Sequence, residues 1–163
     1  MKFYIRQKVF SIGEKFSIKD GSGIDVFNVE GKVFSLGNKL RIYDMYNNEI
    51  VYIEQKLFKL LPEYNIYLSG NYAATVKKEF TFFSSKFHID SNMGNIDIEG
   101  DFLAHDFSMT KNGNTIATIT KQWLSWGDTY EIDISEQENY AFILALVIVI
   151  DQVLHDNKNH NNS

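Results

Sequence analysis

The chain has 163 residues, 44% of them hydrophobic and 15% aromatic, with no cysteine and a formal charge of −5. That length fits one domain with a single core, and so apolar a chain is not a disordered one. The acidic balance argues against nucleic acid as a partner, which needs a basic footprint, and the missing thiols exclude disulfides and thiolate metal sites.

The first stretch, MKFYIRQKVFSIGEKF, places Arg6 and Lys8 where an export signal needs an unbroken apolar run. No signal peptide is expected there, and a cytoplasmic location is the default. Next comes GSGIDVF (21–27), where Gly21 and Gly23 beside Asp20 suit a turn and the third glycine of a dinucleotide loop is lacking. EGKVF (30–34) has Val33 where a phosphate loop needs Ser or Thr.

KLRIYDMYNNEIVYIEQK (39–56) alternates with period two, breaks at Asn47-Asn48 and resumes, the pattern of two strands and a hairpin. With Asn47-Asn48 as a two-residue loop, Arg41 falls opposite Glu54 and Lys39 opposite Lys56. The first pairing is an ordinary ion pair. The second sets like charges face to face, which is unfavourable unless they splay apart or share an anion. Lys59 follows shortly after. Lys39, Arg41, Lys56 and Lys59 are therefore the candidate ligand-binding residues, suited to a phosphate headgroup. The plainer alternative is a set of solvated lysines that discourage aggregation of exposed strands.

In IDIEGD (96–101), Asp97, Glu99 and Asp101 share one strand face. Three carboxylates there are able to hold a hard cation, but alternation with Ile96 and Ile98 explains them more simply as the solvated face. No metal and no cofactor is expected. His105 and Asp106, as adjacent strand residues, point to opposite faces and make a poor acid–base pair. His88, His105, His155 and His160 are scattered, and no nucleophile elbow or base–nucleophile spacing is present. The reading is non-enzymatic.

FSMTKNGNTIATITKQ (107–122) turns at Asn112-Gly113, the strongest hairpin signal in the chain. KQWLSWGDTY (121–130) holds both tryptophans, Trp123 and Trp126. At least one of them is expected to pack the core, the alternative being a membrane-interface or binding patch.

The last element is predicted from DISEQENYAFILALVIVIDQVLHD. Ser135 and Glu138 have the spacing of a capping box, so a helix is expected from about Glu136 to about His155. Its ten consecutive apolar residues, Ala141 to Ile150, stop at Asp151. A bilayer span needs roughly 20, so no transmembrane span is expected. A helix apolar on every face is otherwise a buried one. The folded domain is expected to cover 1–156, with 157–163 a disordered polar tail.

Charge is unevenly distributed. Residues 1–81 carry 12 basic and 9 acidic side chains, and residues 82–163 carry 4 and 12. The two halves nevertheless echo each other. KFSI (15–18) parallels KFHI (86–89), VEGKVF (29–34) parallels IEGDFL (98–103), Ile50 and Ile53 match Ile116 and Ile119, and EYNI (63–66) matches TYEI (129–132). Two copies of a meander closing on one another would leave no open sheet edge.

This order of elements, a meander made twice and then one all-round apolar helix, resembles the LURP-one-related family, grouped with tubby C-terminal domains and phospholipid scramblases. The resemblance covers roughly residues 3 to 155 and rests on the ordered pattern, with VEGKVF…IYDMYNNEIVYIEQK and its echo IEGDFLAHDFSMTKNGNTIATITKQ at its centre. It implies an all-β fold with one helix: a closed antiparallel β-barrel of about twelve strands around a buried C-terminal helix. It also implies a range of roles, from phosphoinositide binding to proposed lipid scrambling. These residues include no Cys-rich or Pro-rich stretch like the N-terminal extension of the scramblases, and no residue-by-residue match to the tubby phosphoinositide site is found.

The leading functional expectation is a non-enzymatic binding module, cytoplasmic and peripheral to membranes, that takes anionic phospholipid headgroups. The alternatives are a structural or protein-interaction scaffold and a carrier of a small apolar ligand. The carrier is disfavoured because Phe142, Ile143 and Leu146 would fill the barrel.

Overall fold

A computed structural model describes residues 1–6, 15–34, 37–77, 86–102, 104–124 and 127–160. The first seven strands are Lys2–Arg6 (β1), Lys15–Asp20 (β2), Asp25–Phe34 (β3), Gly37–Asp44 (β4), Glu49–Gln55 (β5), Glu63–Leu68 (β6) and Asn71–Lys77 (β7). Then come Lys86–Ile89 (β8), Ile96–Asp101 (β9), Asp106–Lys111 (β10), Asn114–Leu124 (β11) and Gly127–Ile134 (β12), and helix α1 over Tyr140–His160.

Every strand pairing is antiparallel, and the twelve strands form one sheet in the order β7-β6-β5-β4-β3-β2-β1-β12-β11-β10-β9-β8. Two meanders are joined where β1 runs against β12, with Phe3 opposite Ile132. Among the described residues the outer edges meet through one bridge, between Ala74 and Ser91, beside which the Asn92 amide donates to the Ala73 carbonyl at 2.9 Å. The sheet is thus a nearly closed barrel, as the duplication implied. The echoed segments fall on equivalent strands: β2 and β8, β3 and β9, β5 and β11, β6 and β12.

Alternation along the strands sends Ile5, Ile18, Val29, Ile42, Ile53, Ile98, Met109, Ile119 and Ile132 inward. There they meet α1, whose residues Phe142–Ile150 and Val153 are all buried. The run is apolar on every face because every face meets a strand. Among the described residues no helix is long and apolar enough to cross a membrane.

The helix begins later than the Ser135–Glu138 pattern predicts. Asn139 caps it, its Oδ1 accepting from the Phe142 amide at 3.0 Å and its carbonyl from Ile143 at 3.1 Å. The Ser135 carbonyl instead closes a turn onto the Glu138 amide, and the Glu138 carboxylate binds Lys111 at 2.6 Å. With both groups engaged there, the capping box does not form. At the other end, residues 157–160 of the expected tail continue the helix, and 161–163 lie outside the described residues.

Candidate functional site: a basic outer face

The β4–β5 hairpin does not take the predicted register. Lys39 stands opposite Glu54 and Arg41 opposite Tyr52, and the ladder shifts between Ile42 and Tyr43. Asp44 causes this. Its Oδ1 accepts from the amides of Tyr46 (2.9 Å) and Asn48 (2.8 Å), and Asn48 Nδ2 donates to its Oδ2 at 2.8 Å. These bonds, the Asn48 side chain first, hold the Asp44 carboxyl below its usual range. The side chain of Asp44 therefore builds a longer turn, with Asn47 at φ 65°, instead of the two-residue loop. The expected Lys39–Lys56 and Arg41–Glu54 pairings are not made.

A like-charge pair exists all the same, with a different partner: Lys39 lies directly opposite Lys32 across β3 and β4. Neither lysine has an ion pair among the described residues. The carboxylate of Glu54, across β5 from Lys39, is engaged by hydroxyls, accepting from Tyr52 at 3.2 Å and Tyr67 at 3.1 Å. That network continues outward as Asn65 donates to Tyr67 at 3.3 Å and Thr75 to Asn65 at 2.7 Å, and Tyr72 shares a hydrogen bond with Thr75 at 2.8 Å. Arg41 braces its near end, with Nε 2.8 Å from Glu49 and the guanidinium over the Tyr52 ring.

Lys56 and Lys59 converge on a single carboxylate. Glu63 lies 2.6 Å from Lys56 Nζ and 3.8 Å from Lys59 Nζ, and stands opposite Lys77 in the β6–β7 ladder. The hydrogen bond from Lys56 holds Glu63 below the usual carboxylate range, with Lys59 and Lys77 adding to the effect. One end of this outer face thus gathers Lys32, Lys39, Lys56, Lys59 and Lys77 around two carboxylates, Glu54 and Glu63. Of the four predicted residues, three belong to this cluster and Arg41 supports it from the adjoining row. Lys32 and Lys77 were missed because strand register, not proximity in sequence, brings them in.

Elsewhere among the described residues, several charges cancel in pairs. A groove of about 270 Å³ between β1 and β2 is lined in part by Lys15 and Lys19, which are bound to Glu30 and Asp25. On β9, Asp97 is taken by His88, Glu99 by Lys86, and Asp101 accepts the Ala104 amide at 2.9 Å. His105, in the turn before β10 at φ 55°, shares a hydrogen bond of 3.1 Å with the buried Tyr130 hydroxyl. The side chain of Trp123 and the whole of Trp126 lie outside the described residues.

Three likenesses to known proteins bear on this geometry. The profile of the LURP-one-related family matches residues 1–151. YxjI of Bacillus subtilis (strain 168), an uncharacterized protein, is 37% identical over 161 residues, 99% of this chain and 98% of the relative. The X-ray structure of a protein from Arabidopsis thaliana superposes with a TM-score of 0.70 at 20% identity, over 93% of this chain and 90% of that one. At that identity the likeness speaks for the fold alone.

Proposed function

Because the chain belongs to the LURP-one-related family and carries a concentrated basic face on an otherwise acidic molecule, we propose that it is a non-catalytic binding module that docks on anionic phospholipid surfaces, peripheral to the cytoplasmic leaflet. One observation carries this reading: five lysines share one end of the β3–β7 face with two carboxylates, and Lys32 and Lys39 stand side by side. Like charges held across a ladder disfavour the fold unless an anion lies between them. A phosphate or serine headgroup layer supplies such anions, and each lysine near it contributes on the order of 1 kcal/mol. The acidic remainder would turn away from the same surface, so charge alone orients the molecule. The interior that a carrier of apolar ligands needs is occupied by α1.

Co-sedimentation with vesicles of phosphatidylcholine, with and without phosphatidylserine, tests the proposal. Binding is expected on the anionic vesicles only, to weaken with salt, and to fall by roughly tenfold or more in Lys39→Glu/Lys59→Glu. Wild-type protein that ignores anionic vesicles at low salt, or a double variant that binds as well as wild type, would sink it and favour a scaffold.

A further inference from the structure

The β5–β6 connection, Lys56-Leu57-Phe58-Lys59-Leu60-Leu61-Pro62, rises from the edge of the basic cluster. Its base is closed by the Lys56 amide donating to the Glu63 carbonyl at 2.8 Å. Leu57 packs down over Gly37, where any Cβ would come within 2.8 Å of the Leu57 Cδ2. Beyond that anchor the chain turns outward. Phe58 adopts φ 59°, a left-handed conformation that bulky residues rarely take. The residue is 99% exposed, and Leu60 is 90% exposed. Two large apolar side chains stand in solvent at a loop tip, with Lys56 and Lys59 beside them.

Exposure alone does not distinguish this loop. Tyr46, Met45 and Ile24 are also exposed at the opposite ends of their strands. Those residues, however, sit in turns beside Asp20, Asp25, Asp44 and Glu49, which an anionic bilayer repels. Phe58 and Leu60 project where the surface is basic.

We propose that Phe58 and Leu60 form a wedge that enters the headgroup–acyl boundary of an anionic bilayer while Lys56 and Lys59 remain at headgroup level. The proposal rests on the membrane-docking reading and deepens it, because it fixes which end of the barrel faces the lipid. An apolar tip ringed by lysines gains from both burial and charge at the interface and from neither in solution. Leu57, itself 40% exposed, rests against Gly37 at the base of the tip.

The absence of cysteine makes a direct test simple. Leu60→Cys carries a single environment-sensitive nitrobenzoxadiazole label, and Tyr46→Cys carries the same label as a control at the acidic end. On phosphatidylcholine vesicles containing about 30% phosphatidylserine, the label at 60 is expected to shift to the blue, brighten several-fold and be quenched by shallow nitroxide lipids. The label at 46 stays unchanged. Unlabelled Phe58→Ser/Leu60→Ser, folded by circular dichroism, is expected to partition at least roughly tenfold more weakly while keeping its salt sensitivity.

Wild-type co-sedimentation with an unmoved label at 60 would overturn the wedge and leave headgroup docking standing. Absence of any co-sedimentation removes both. A blue shift that needs no vesicles and grows with protein concentration would assign the tip to a second copy of the chain, and an equal shift on purely zwitterionic vesicles would remove the part given to the lysines.

Discussion

Tyr64 on β6 and Tyr130 on β12 hold equivalent places in the two copies of the meander. Both are buried, and each hydroxyl meets a polar side chain from the matching position, Asn38 Nδ2 at 3.4 Å and His105 Nε2 at 3.1 Å. The outer faces of the same strands have diverged. On β3–β7 and the long loop that joins β5 to β6, a row of tyrosines and five lysines surrounds two carboxylates. On β9–β12 the outward residues include Asp97, Glu99, Asp101, Glu131 and Asp133, and β11 turns into β12 with Leu124 opposite Gly127. Burial constrains both copies alike, since each inward position faces the same helix. Solvent constrains neither, so the exterior has been free to specialise.

The sharpest way to break that equivalence is to truncate the paired tyrosines. Tyr64→Ala and Tyr130→Ala should each cost about 3–5 kcal/mol of unfolding free energy in urea. A disparity of more than about 2 kcal/mol between them would mean the copies are not energetically matched. Gly100 offers a test confined to the second copy. It holds φ 145°, and a Cβ there would collide with the Asp106 carbonyl oxygen. Gly100→Ala should therefore destabilise by roughly 2–5 kcal/mol, because both backbone strain and overlap oppose it. A near-neutral effect in the same denaturation assay would show that β9 can shift freely against β10.

Glu54→Gln separates the stability of the first copy from its proposed role. Replacing the carboxylate that accepts from Tyr52 and Tyr67 should cost about 1–2 kcal/mol. Removing a negative charge opposite Lys39 should strengthen binding to anionic vesicles by roughly fivefold. Stability and binding that fall together would place Glu54 in the lipid contact.

The smallest effect belongs to His88, whose link to Asp97 ties β8 to β9. The hydrogen bond to Asp97, with Asp97 and Asp90 charges beside it, raises its pKa above 6.5. A folded value above the unfolded one means that the contact stabilises the protein at pH below the unfolded value. That contribution is lost as pH rises through the folded value. A histidine NMR titration should give a midpoint above 6.5, and His88→Gln should remove this part of the pH dependence. A midpoint at or below the ordinary value would show that the edge strand is not held this way.

How much was legible in the residues follows from how local the cause was. The strands, the two copies and the enclosed helix all depend on repeating burial, which writes itself into hydrophobic period and run length. Ala141–Ile150 read as the inside of something, and Phe142–Ile150 are buried. The hairpin register was not legible, because Asp44 spends its carboxylate on the turn and moves the β5 partners of Lys39 and Arg41 by two residues. The capping box failed in a similar way, since Lys111 at the end of β10 draws the Glu138 carboxylate away. Of the candidate site, Lys39, Lys56 and Lys59 were readable as a basic run. Lys32 and Lys77 were not, and neither was the loop tip at Phe58 and Leu60. Apolar residues read by default as core, and only the closed strand ends around Gly37 and Glu63 leave that pair outside.

The sequence by itself determined an all-β chain made twice and an enclosed helix, because alternation and all-round apolarity are properties of the chain in any register, while closure into a barrel around that helix was what the family resemblance implied. Only the tertiary structure decided which lysines stand together and which are neutralised. Electrostatic partners are set by ladder register and turn geometry, where one side-chain hydrogen bond outweighs the local pattern.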